Sequence, residues 1–246
     1  MHGLNGKVAI VTGASKGIGA AIARQLAAEG ASVVVNYASS QRDADTVVST
    51  IQEGGGRAVA VKGDVSKAED ARAIIDAAIQ TFGRLDILVN NAGRYEFASL
   101  KDITEEHFHT LMNINVLGLL LVTQAAAIRM GAGGSIINIG ASITTMKPPT
   151  SSVYAASKSA VETITGVLSK ELGAKGIRIN CVNPGPTETE GSAGIRGGGS
   201  GNGLVAQTPL GRIGQPEDIA RIAAFLASEE SGWMTGAVLI ASGGLQ

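Results

Sequence analysis

A single cysteine, Cys181, excludes an internal disulfide and is the pattern expected of a reducing compartment. It sits in an apolar, strand-like stretch, where a thiol is expected to be buried and inert. Charge is sparse as well, 17% of residues with a net of -1, and no basic stripe runs along the chain. That excludes the footprint a nucleic-acid backbone demands. Apolar runs are short: Val116 to Val122 falls well below a membrane span, and the chain reaches Lys7 before any apolar stretch, without a small-residue cleavage site. A soluble, unexported, cytoplasmic protein is expected, with no membrane partner and no metal site.

What is present is a chain of 246 residues, 44% hydrophobic, enough for one sizeable core and so for a single domain over 1–246. Short apolar runs alternate with segments of helical periodicity. Strands are expected at Lys7–Val11, Ser32–Asn36, Ala58–Lys62, Ile87–Asn90, Ile136–Ile139, Ile177–Val182 and Ala237–Ile240. Helices are expected at Gly17–Glu29, Gln41–Gln52, Ala68–Phe82, within Glu105–Arg129, at Ser152–Leu172 and at Glu217–Leu226, with glycines punctuating several ends. This alternation predicts an α/β fold, a doubly wound Rossmann-type parallel sheet with helices on both faces and ligands beyond the carboxyl ends of the strands. One segment breaks the pattern: between Gly185 and Gly211 the run GSAGIRGGGSGNG resembles a flexible linker. It is expected to be a mobile substrate lid, a tolerated insertion being the plain alternative.

The first strand-to-helix connection reads Thr12, Gly13, Ala14, Ser15, Lys16, Gly17, Ile18, Gly19, a TGxxxGxG pattern. Glycines there let the backbone turn tightly and approach a pyrophosphate, and the helix N-terminus offers N–H groups and a positive dipole end. The context points to dinucleotide binding rather than a mere tight turn. An acid at the end of the second strand would hold the adenosine ribose and repel a 2′-phosphate. Asn36, Tyr37, Ala38, Ser39 and Ser40 stand there instead, with Lys16 and Arg42 nearby, so NADP(H) is expected over NAD(H). Lys16 as a solvated surface charge is the plain alternative. Asp64 and Val65 end the third strand, where Asp64 either accepts from the adenine amino group or caps a helix.

Tyr154 and Lys158 stand four residues apart in YAASK, on one face of the helix beginning near Ser152. An ammonium beside a phenol stabilises the phenolate and would bring its pKa down from about 10 toward acid/base work at neutral pH. By spacing alone the pair is equally an ordinary helix pair. Together, however, TGASKGIG, the NNAG of Asn90 to Gly93, Asn115, YAASK and the NPG of Asn183 to Gly185 resemble, in order and spacing, the short-chain dehydrogenase/reductase family over essentially the whole chain.

The resemblance implies hydride transfer between NADP(H) and a carbonyl or secondary alcohol carbon. It implies Tyr154 as general acid/base and Lys158 as the group that lowers its pKa and holds the nicotinamide ribose. Asn115 is implied to support a proton-relay water. Asn91, Ala92, Gly93, Pro184, Gly185 and Thr187 are implied to line the cofactor site, and a homotetramer to form on the two long helices. The family's serine normally precedes the tyrosine by thirteen residues; here Ala141 holds that position and Ser142 follows. Ser142 is expected to bind the substrate oxygen, the alternative being a solvated turn serine. Sugar-nucleotide epimerases share the tyrosine and lysine but carry TGxxGxxG and a longer C-terminal region; a nonenzymatic cofactor sensor or scaffold is the remaining competitor. The chain is similar to 3-oxoacyl carrier-protein reductases and to carbonyl reductases. Carrier-protein recognition calls for a basic patch, for which Arg129 and Lys175 are the candidates. A small carbonyl or hydroxy compound is favoured, in a pocket shaped by Arg94, Tyr95 and Met146.

Overall fold

Seven parallel strands order themselves β3-β2-β1-β4-β5-β6-β7 in a computed structural model that describes residues 3–190 and 200–245. They are β1 (Val8–Val11), β2 (Ser32–Tyr37), β3 (Arg57–Lys62), β4 (Ile87–Asn90), β5 (Ser135–Ile139), β6 (Arg178–Pro184) and β7 (Val238–Ala241). The helices are α1 (Gly17–Ala28), α2 (Gln41–Glu53), α3 (Ala68–Phe82), α4 (Glu105–Met112), α5 (Leu119–Arg129), the single turn α6 (Ile143–Met146), α7 (Ser152–Gly173), α8 (Ser200–Gln207) and α9 (Pro216–Ala227). The continuous apolar strands have the composition that burial on both faces requires, and β1, β4 and β5 are buried throughout. Leu26, Val33, Val35 and Ala223 belong to the core on one face, and Ile74, Val122, Ile136 and Ile179 to the core on the other. The expected doubly wound fold is what forms. The strand order reverses between β1 and β4, and the crevice beyond their carboxyl ends is where such a sheet takes its ligand.

Two expectations change. The helix expected within Glu105–Arg129 is interrupted by a π-helical stretch, Asn113–Gly118. Its last residue, Gly118, lies so close to Val65 that a Cβ there would come within 2.7 Å of that side chain. As a whole, Glu105–Arg129 is long and apolar enough by length and composition to cross a membrane, which a reading of Val116 to Val122 alone underestimates. Leu111, Asn115, Leu119, Val122 and Ala126 are buried against the fold, while Phe108, Leu117, Leu120 and Ile128 are exposed. The segment read as a structureless linker is helical at Ser200–Gln207, where Leu204, Val205 and Ala206 supply half a turn of helix-compatible apolar residues and Thr208 Oγ1 donates to the Leu204 carbonyl. Residues 191–199 of the expected lid lie outside the described residues.

The carboxyl end of β6 is pinned by one side chain. Asn183 donates to Glu162 on α7 at 2.5 Å and to Thr144 on α6 at 3.3 Å, and its Oδ1 accepts from the Cys181 thiol. Gly140 has no side chain because a Cβ would overlap Asn183 Oδ1. Gly140→Ala is expected to destabilise the protein by about 1–3 kcal/mol, the usual cost of overpacking, read as a lower urea midpoint at unchanged slope.

Candidate active site

α7 begins just past the carboxyl edge of the sheet, so Tyr154 and Lys158 in its first two turns project beside the ends of β4 and β5. Lys158 is buried, and its ammonium donates to the Ile139 carbonyl at 2.8 Å. Burial pulls its pKa down to about 8, with Cys181 opposing. Burial likewise pushes the Tyr154 phenol up to about 12, with Tyr95 adding to the rise. In the chain alone burial sets the direction of the Tyr154 shift, and the Lys158 ammonium bonds a backbone carbonyl. At neutral pH the phenol is a held proton donor. Cys181 is buried, its thiol raised to about 12, and is as inert as expected.

The NNAG turn brings the rest together. Gly93 is the point of closest approach: a Cβ there would meet Asn115 Oδ1 at 3.3 Å and Lys158 Nζ at 3.4 Å. Asn115, displaced onto the π-helical stretch, accepts from the Arg94 N–H at 2.8 Å and donates to the Arg94 carbonyl and to Ser157 Oγ, both at 2.9 Å. It therefore ties the turn to α7. Asn90 is buried and donates to Thr123 and Asn138, a bridge between helix and sheet.

On the cofactor side, Gly13 and Gly17 take φ of 59° and 57°, conformations that side chains resist. A Cβ on Gly13 would lie 2.8 Å from the Ala92 backbone, so the glycine turn and the NNAG turn touch. Asn91 donates to the carbonyls of Thr12 and Gly13, at 2.9 and 3.0 Å. Lys16 precedes α1 in extended backbone, exposed, and no side chain of its own caps that helix. Ser15, Ile18 and Gly19 complete the turn. Asn36 is buried with its amide engaged: Oδ1 accepts from the Gly13 N–H at 3.2 Å, and Nδ2 donates to the Val61 and Gly63 carbonyls. It shapes the turn from beneath. Tyr37 is buried, whereas Ala38, Ser39 and Arg42 are exposed beside it without a carboxylate among them. Asp64 Oδ1 accepts from Ser66 N–H and Oγ in the turn before α3, whose N-cap position is Lys67, and Val65 packs against Gly118.

Past β6, Pro184 accepts from the Ser142 N–H at 2.9 Å, and Gly185 approaches Ser242 too closely for a side chain. Thr187 pairs with Gly214 and donates to the Gly185 carbonyl. Two residues missed in the sequence follow. Thr189 stands against Gly17, whose Cβ would meet it at 3.2 Å, and Glu190 Oε2 accepts the Gly17 N–H at 3.1 Å. Their only signal was position, four and five residues after the NPG. Glu190 thus places an anion on the very N–H group expected to face a phosphate.

On the substrate side, Ser142 is buried with its hydroxyl 3.6 Å from the Met146 sulfur. Tyr95 and Phe97 flank Tyr154, Phe97 also having been missed. Arg94 is paired with Glu96 at 2.7 Å. The basic residues considered for a carrier protein do not border this site. α5 and α7 run back from the carboxyl to the amino end of the sheet, and the roughly 30 Å rise of a helix the length of α7 separates Lys175 from Tyr154. Arg129 closes α5 at that same far end, paired with Asp76 at 3.0 Å.

A family profile described as "Enoyl-(Acyl carrier protein) reductase" matches residues 13–246. A short-chain dehydrogenase from Burkholderia cenocepacia, solved in complex with NADP, is 38% identical with a TM-score of 0.94, covering 99% of each chain. The chain belongs to the short-chain dehydrogenase/reductase family. An uncharacterized oxidoreductase of Methylorubrum extorquens is 57% identical over 100% of both chains, and elsinochrome reductase 1 of Elsinoe fawcettii is 42% identical over 96% of this chain and 93% of its own. The angucycline C-6 ketoreductase LanV with bound NADP is 38% identical with a TM-score of 0.94, covering 99% of this chain and 96% of that one.

A dinucleotide fits this short-chain dehydrogenase/reductase on its own geometry: two left-handed glycines, a helix N-terminus with no cap of its own, and exposed Lys16, Ser39 and Arg42 at its adenosine end. A phosphate bound at this turn would compete with the Glu190 carboxylate for the Gly17 N–H, so Glu190→Gln is expected to tighten NADPH binding several-fold. Fluorescence titration at low salt checks this, and an unchanged Kd would show that Glu190 stands clear of the phosphates.

Proposed function

We propose that this chain is an NADPH-dependent reductase of ketones, with the reverse oxidation of secondary alcohols at the same site. The observation that carries this reading is the convergence at Gly93, where Asn115 and Lys158 come within contact distance one helical turn from Tyr154. NADPH supplies the hydride. Gly13 to Gly19 hold the pyrophosphate; Lys16, Ser39 and Arg42 favour the 2′-phosphate; Asn91 to Gly93, Lys158, Pro184, Gly185 and Thr187 surround the nicotinamide end. Tyr154 gives its proton to the carbonyl oxygen as hydride reaches the carbon. Lys158 keeps a positive charge beside the developing phenolate, and Asn115 supports the water that returns the proton. Ser142, whose hydroxyl contacts the Met146 sulfur in this structure, donates to the substrate oxygen once turned from it. The resemblance to an angucycline C-6 ketoreductase supports ketone reduction, and that to elsinochrome reductase 1 supports a reductase.

Exposed Phe108, Leu117, Leu120 and Ile128 on the α4–α5 run and Val167 on α7 support a homotetramer built on these helices. A monomer would leave this apolar surface in water. Ile128, 76% exposed, is the residue to change. Ile128→Glu is expected to lower the mass seen by light scattering.

Tyr154→Phe is expected to cost about 10²–10⁴ in kcat for ketone reduction, the range for a lost general acid, with NADPH affinity kept. The phenol stays protonated up to about 12, while Lys158 loses its charge through about 8. The kcat/KM for reduction should therefore be level below pH 8 and fall above it. Tight NADPH binding without turnover of any ketone would instead favour a cofactor sensor.

A further inference from the structure

Aromatic residues are few in this chain, one tryptophan, three tyrosines and four phenylalanines. Three of those rings meet at one place. The centroids of Tyr95 and Phe97 lie 6.3 and 6.0 Å from that of Tyr154, tilted by 56° and 75°. The Tyr95 contact is tilted and the Phe97 contact T-shaped, and Tyr95 and Phe97 remain 45% and 53% exposed. Neither ring is spent on the core of the fold.

The segment carrying them is stiffly held. Lys147 and Thr150 have φ of 44° and 69°, and they are the only non-glycine residues with positive φ among the described residues. For threonine, branched at Cβ, that conformation is strained and persists only where the surroundings over-determine it. The two bracket Pro148 and Pro149, whose φ is fixed by their rings. Ser151 Oγ closes the bracket onto the Pro148 carbonyl at 2.6 Å, and the Ala98 N–H donates to the Thr150 carbonyl at 2.9 Å. The strand of chain bearing Tyr95 and Phe97 is thus stapled to a rigid strap directly before α7. Exposed rings pre-set in this way lose little freedom when a ligand covers them.

We infer that Tyr95 and Phe97 form a clamp for the flat part of a fused-ring aromatic ketone whose carbonyl reaches Tyr154, so that the substrate class is aromatic rather than a flexible acyl chain or an alicyclic ketone. This inference rests on the ketone-reductase reading. Rings at these separations recognise another ring by offset or edge-on packing, worth about 2- to 12-fold in affinity beyond the area covered.

The test compares compounds of one carbon skeleton that differ in flatness. With the NADP-loaded protein, calorimetry is used to compare binding of 2-naphthol with that of trans-2-decalol; turnover with NADPH compares 2-tetralone with trans-2-decalone. Each is measured for the native chain, Phe97→Leu and Tyr95→Leu, since leucine keeps apolar bulk and removes the π face. The native chain should prefer the aromatic member, and each variant should shrink that preference about 2- to 12-fold, with the change in KM rather than kcat. A preference that is absent in the native chain, or unaltered in both variants, overturns the clamp. Turnover of neither ketone alongside an intact naphthol preference would overturn the reductase reading and leave the clamp standing.

Discussion

The buried ammonium of Lys158 is the constraint on which the arrangement of this site depends. A cation taken out of water must find a partner or lose its proton. Here the partner is the last carbonyl of β5, at 2.8 Å, reached only because α7 starts immediately beyond the sheet edge. To make room, the turn after β4 carries glycine at position 93. To hold that turn in place, Asn115 takes the backbone N–H and carbonyl of Arg94 and the hydroxyl of Ser157. Strand end, turn, π-helical stretch and α7 are thereby mutually supporting, and none of these four parts can shift without uncovering the charge.

The same economy divides the crevice into two halves built differently. The cofactor half is largely backbone: left-handed glycines, a helix terminus, and the N–H groups of Asn91 and Ala92 that both donate to Thr12 Oγ1 at 3.0 Å. The substrate half is side chains on connections, Tyr95, Phe97, Ser142 and Met146, hung on a strap of two prolines. Backbone geometry is set by the fold, and side chains on loops can change with the substrate while the sheet stays the same.

This division also explains what could be read from the sequence. Strands, helices, the glycine turn and the YAASK pair follow local rules of periodicity and spacing, and they appear where those rules put them. The π-helical stretch did not announce itself, since no local pattern in Asn113–Gly118 marks it and the close approach of Gly118 to Val65 is a contact between residues far apart along the chain. Asn36 was legible as a position and not as a role: only the folded structure shows its amide consumed by Gly13, Val61 and Gly63. The upward push of burial on Tyr154 was not legible because charge proximity is visible in spacing and desolvation is not. Glu190 and Phe97 were missed because each matters through a contact across the crevice, with Gly17 and Tyr154, that no local pattern encodes.

The π-helical stretch between α4 and α5 amounts to one residue more than a regular helix would hold over the same rise. It works as a phase adjuster. Each residue of an α-helix advances the face by about 100°, so removing one residue between Asn113 and Gly118 while keeping α5 seated on the sheet would swing everything upstream by that angle. Leu111 would leave the core and the exposed face of α4 would turn inward. The helix therefore carries two independent registers, one answering to the sheet and one to the mouth of the site, and the wide turn at Asn115 lets them differ.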